Sequence, residues 1–158
     1  MAPSTSGLKV PCGQRRSRRC IWDRTVGIST SLLRKCVSWP ASLQYLDFGE
    51  RLDQPITRVS WPDALQVLRF GDAFDQAIEG VSWPDSLREL NIGDYFDLPI
   101  LQVSWPGSLQ NLRFGDAFNQ RVDGVSWRDS LRSFRHEFNK PIEEVRWPAS
   151  LQKIVVRR

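Results

Sequence analysis

The chain has 158 residues, 41% of them hydrophobic and 25% charged, which fits one globular domain and excludes a disordered or collagen-like chain. No apolar run is long enough to form a membrane-spanning helix. The net charge of +4 is unevenly spread: residues 1–36 hold eight basic groups against one acid, Asp23, whereas residues 37–158 hold fourteen basic against seventeen acidic groups. The positive balance therefore belongs to the head and gives the remainder no footprint for nucleic acid.

Residues 1–20 are rich in Arg and Ser, contain no acid and lack the apolar core of a secretory signal. They read as a basic disordered tail. An organelle or nuclear address is the other use of such a segment, and any nucleic-acid contact is confined to it. Residues 21–36 keep traces of the pattern that follows, with Leu33 leading towards Val37 and Trp39, and read as a degenerate N-terminal cap. Cys12, Cys20 and Cys36 are an odd set outside the repeats, not a disulfide framework. They are expected to be free thiols of a reducing compartment, which makes the cytoplasm the expected location.

From Val37 onward a ruler appears. Trp39, Trp61, Trp83, Trp105 and Trp127 are each 22 residues apart, and Trp147 follows after 20. Repeats start at Val37, Val59, Val81, Val103 and Val125, with a partial one at Val145, so residues 37–158 form a repeat array. Each repeat has two similar halves, exemplified by Ile56-x-x-Val59-x-Trp61-Pro62 and Leu65-x-x-Leu68-x-Phe70-Gly71. Apolar positions two apart leave a strand on the same side, and Pro or Gly then turns the chain. The reading is a mostly β solenoid of five full coils of about 22 residues. Each coil has two short parallel strands, and its neighbours must cover its faces. Val59, Trp61, Phe70 and Phe74, with their equivalents, form inward ladders. Ser60, Ser82, Ser104 and Ser126 point the other way. The fifth repeat lacks the Gly-Asp pair, which predicts a kink or bulge near His136.

Phe138-Asn139-Lys140-Pro141-Ile142 resembles the F-N-x-P-I signature of the FNIP repeat family of leucine-rich-repeat-like modules. Leu52-Asp53-Gln54-Pro55-Ile56 and Phe96-Asp97-Leu98-Pro99-Ile100 are close versions; those at Phe74 and Phe118 are looser. The family's P-x-S-L-x-x-L-x-F-G stretch recurs at Pro40–Gly49 and Pro106–Gly115, with Trp before Pro where the family usually has Leu. The resemblance covers about residues 37–158. It implies a leucine-rich-repeat-like solenoid used for protein interaction, with no shared catalytic residues.

Function is sought on what varies. The outward positions Tyr45, Asp47, Val67, Arg69, Glu89, Asn91, Asn111, Arg113 and Arg135 differ from coil to coil on an otherwise repeated scaffold. That is the pattern of a recognition surface, although a solvated face has the same pattern. The expected role is a non-catalytic protein-interaction module, acting as a monomer without cofactor, metal or membrane. Arg113→Glu should then weaken capture of a partner and leave melting intact. The alternative is a glycan-binding solenoid with an exposed Trp platform. Gly71-Asp72, Gly93-Asp94 and Gly115-Asp116 recur as turns with too few oxygens for Ca²⁺. His136, the single histidine, reads as a packing residue, and no nucleophile–base set or zinc-spaced cluster is present.

Overall fold

The computed structural model describes residues 17–21, 39–136 and 144–156. It contains seven short strands: β1 Arg19–Ile21, β2 Tyr45–Asp47, β3 Val67–Arg69, β4 Glu89–Asn91, β5 Asn111–Arg113, β6 Ser133–His136 and β7 Lys153–Val156. All lie in one parallel sheet in chain order. Leu46, Leu68, Leu90, Leu112 and Phe134 stand directly beside one another across it. Parallel neighbours need a long connection, and here the rest of each coil supplies it. The chain is a leucine-rich-repeat-like β-solenoid.

Each strand is three or four residues centred on an inward residue with polar or small neighbours facing out, the alternation that a half-buried strand requires. Turns set the rest of the coil. The Leu65 N–H donates to the Pro62 carbonyl at 3.0 Å, and the Val59 N–H to the Ile56 carbonyl at 3.0 Å, with the same bonds recurring in later coils. Serines staple neighbouring coils: Ser86 Oγ donates to the Leu65 carbonyl at 2.6 Å and Ser130 Oγ to the Leu109 carbonyl at 2.7 Å. Backbone bonds join successive Gly-Asp turns, as from Ala73 N–H to the Glu50 carbonyl at 3.0 Å.

The inward ladders form one core. Val59, Val81, Val103, Val125 and Val145 are buried, as are Trp61, Trp83 and Trp105, and Trp39, Trp127 and Trp147 pack against them half-buried. Stacking joins Trp61 to Trp83, with centroids 6.3 Å apart, and Trp105 to Trp127, at 6.1 Å. The indole N–H groups of Trp61, Trp83, Trp105 and Trp127 are buried without a protein acceptor, so ring packing rather than hydrogen bonding holds this column. Phe74, Phe96 and Phe118 stack likewise at 6.3 and 6.0 Å.

The strand count departs from the sequence reading. Only the Leu-x-Phe half of each coil is a strand; the Val-Ser-Trp half makes turns and no ladder. Tight turns close on either side of it, as from the Val81 N–H to the Ile78 carbonyl and from the Leu87 N–H to the Pro84 carbonyl, and proline follows the Trp, so no extended run is left to pair.

Three other expectations are corrected. Arg19 and Cys20, read as part of a disordered tail, belong to β1, with Cys20 buried beside Leu46. Cys20 is disulfide-bonded rather than a free thiol, and Cys12 and Cys36 lie outside the described residues. The sheet is not kinked or bulged at His136: β6 is one residue longer than β5, and His136 pairs in register with Val156. A buried His136 ring continues the Phe column, which keeps the strand extended. The tail before Ser17, most of the cap and the Phe138 signature lie outside the described residues.

Candidate functional site

The pleat gives each strand two outward side chains, so seven stacked strands present two columns. One runs Arg19, Tyr45, Val67, Glu89, Asn111, Ser133, Lys153. The other runs Ile21, Asp47, Arg69, Asn91, Arg113, Arg135, Val155. All nine residues expected from the sequence fall on this face, each at least partly accessible. Sequence reasoning missed Arg19, Ile21, Ser133, Lys153 and Val155. Taking the residues on either side of Leu46 and of each of its equivalents would have found Ser133, Lys153 and Val155.

The face divides electrostatically. At its N-terminal end the side chains are tied to one another. Arg19 lies over the Tyr45 ring at 4.2 Å from the centroid and Arg69 over the same ring at 5.5 Å. Tyr45 donates from its hydroxyl to Asp47 Oδ2 at 3.1 Å, and Asp47 Oδ1 accepts from the Gly49 N–H at 3.0 Å. Arg69 donates to Glu89 Oε1 at 2.8 Å, and that bond, outweighing burial, raises its guanidinium above the usual value.

Towards the C-terminal end Arg113 and Arg135 are direct neighbours in one column and, among the described residues, carry no side-chain hydrogen bond or ion pair. They share a shallow depression of about 190 Å³ with Arg69, Glu89, Asn111 and Ser133, floored by Leu90 and Leu112. Tyr45, Asp47 and Val67 lie beyond it, beside the Arg69 edge.

The other constellations resolve into structure. Burial of Trp61, Trp83 and Trp105, at 8%, 9% and 2% exposure, removes the platform on which the glycan-binding alternative rested. The carboxylates of Asp53, Asp75 and Asp97 face the next coil, where Asp97 Oδ1 accepts from the Asn119 N–H at 2.8 Å and from Gln120 Nε2 at 2.9 Å. Among the described residues no three His, Cys, Asp or Glu side chains group as metal ligands, and no helix is long and apolar enough to cross a membrane. His136 is fully buried, and burial pushes its imidazole down to about 4.

Residues 74–117 match the FNIP Repeat family. A solved structure, that of CroV588, described as a novel circular LRR protein, superposes with a TM-score of 0.58 at 32% sequence identity, over 75% of this chain and 21% of that one. The chain thus spans about one fifth of that protein's length. No curated protein sequence matches the chain.

Proposed function

We propose that the chain is a non-catalytic protein-interaction module that engages a protein partner along the outward face of its sheet. One observation carries this reading: the outward strand positions, which vary from coil to coil, share one face, where side chains from β3 to β6 line one depression. Repeat arrays use such extended faces for binding, and a preformed sheet loses little conformational entropy on contact. The FNIP match and the leucine-rich-repeat-like neighbour support a repeat module. The module works without cofactor or metal, as a monomer. The cytoplasmic expectation is not carried forward, because it rested on free cysteines and Cys20 is disulfide-bonded.

The test is site-specific photocrosslinking in the full chain. A photoreactive side chain at Val67 or Asn91, on the face, is expected to yield a discrete protein adduct that excess unmodified chain competes away. The same probe at Ser82 or Ser104, exposed on the opposite side of the coil, should not. Equal adducts at all four positions, or adducts only at the serines, would reject this face as the interface.

A further inference from the structure

We infer that Arg113 and Arg135 form a subsite for a dianionic oxyanion, namely a phosphorylated side chain borne by the partner protein. This rests on the reading of the face given above and names the chemistry of its centre.

The solenoid supplies its own control. Arg69 in the second coil is neutralised diagonally by Glu89, the first outward residue of the following strand. For Arg113 the residue at that diagonal position is Ser133, and for Arg135 it is Lys153. The same geometry that carries an acid for one arginine thus carries a hydroxyl for the next and a second cation for the last. Among the described residues, neither Arg113 nor Arg135 finds any other side-chain partner. Strands about 4.8 Å apart force the two guanidinium stems alongside each other, and like charges directly across a sheet destabilise it. An anion seated between them relieves that repulsion.

The donor set favours phosphate over a single carboxylate. Two guanidiniums offer planar forks of N–H groups, while the Ser133 hydroxyl and the Asn111 amide add neutral donors in the same depression. Lys153, beside Ser133, adds a third positive charge. Three acceptor oxygens and close to two negative charges match this set, whereas one carboxylate leaves donors and charge unanswered. A phosphate on a protein segment is favoured over a nucleic-acid backbone. A nucleic-acid groove interleaves cations with open aromatic rings on which bases stack. The aromatic ring of this face, Tyr45, is already covered by Arg19 and Arg69.

The experiment follows the Arg Nε–H resonances of the full chain by NMR. The titrants are a phosphoserine hexapeptide, its serine and glutamate counterparts, inorganic phosphate and a short single-stranded RNA. The phosphopeptide should shift Arg113 and Arg135 saturably, leave Arg69 in place, and bind at least about tenfold more tightly than the serine or glutamate peptide. Ser133→Glu places an acid at the vacant diagonal position and should weaken phosphopeptide binding at least about tenfold with melting unchanged. If that variant does not fold, Arg135→Gln serves the same purpose. Equal binding of the glutamate peptide, equally tight binding of inorganic phosphate, tighter binding of RNA, or equal shifts at Arg69 would each overturn the inference. Failure here with the crosslinks at Val67 and Asn91 intact leaves the interaction face standing. Phosphopeptide binding without a crosslinked partner leaves the subsite standing and the partner reading fallen.

Discussion

His136 stands where Phe114 stands one coil earlier, and the polar ring makes that position sensitive to pH. Burial lowers the imidazole to about 4, against about 6.5 in an unfolded chain. Above that upper value neither state binds the proton and stability is unaffected. Between the two values only the unfolded chain binds it, so stability falls as pH falls, by roughly 3 kcal/mol once pH drops below the folded value. Urea unfolding at pH 7 and pH 4.5 should therefore show a loss in the native chain that His136→Phe largely removes. Parallel losses in both would assign the acid sensitivity to the carboxylates instead. At the same scale, Arg113 and Arg135 differ from Arg69 in what stands diagonally beside each: Ser133 and Lys153 in place of the acid Glu89.

At the scale of the coil, approach distance governs which residues are tolerated. A Cβ on Gly93 would sit 1.9 Å from the Gly71 carbonyl oxygen, and one on Gly71 would sit 1.5 Å from that of Gly49. The clash is with backbone, which cannot step aside without opening the stack. Gly93→Ala should cost about 3 kcal/mol or more, at the upper end of overpacking. Gly107, in a turn with nothing within 4 Å of such a Cβ, is the control. Gly107→Ala should be neutral or stabilising by up to about 1 kcal/mol, through the unfolded chain. Denaturant midpoints of the two variants decide the matter, and similar losses at both would refute the close-approach argument. The turns mark the limit of what the sequence discloses. Periodicity of two identifies which side chains point inward, and it located Leu68, Phe70, Val59 and Trp61 in the core. It is silent on where turns close, so the Val-Ser-Trp half looked as much a strand as its partner. The turns that bracket it, as at the Val81 and Leu87 N–H groups, decided between them. The outward columns were legible because they follow from the inward ones by alternation. β1 was hidden because two arginines, Arg18 and Arg19, precede its one buried residue, Cys20, and three cysteines leave pairing undetermined.

For the whole molecule, the coils stack in chain order, with the outward columns of the sheet on one side and the aromatic columns behind them. Each coil touches only its neighbours, and the hydrogen bonds between adjacent coils are nearly the same at every step. This equality has a mechanical consequence. Pulled from its ends along the stack, the array has no single clamp whose rupture releases everything; the coils are links of similar strength that open one after another. Each link from β2 to β6 holds 22 residues, from Tyr45 to Val67 for example, and releases roughly 70 Å of extended chain when it opens. An optical-trap recording should show a staircase of equal steps of that length at similar force, and one long rip would mean that the coils yield as a block. In such a staircase the array behaves as a spring with a nearly constant plateau force, lengthening under load without losing the coils that remain closed.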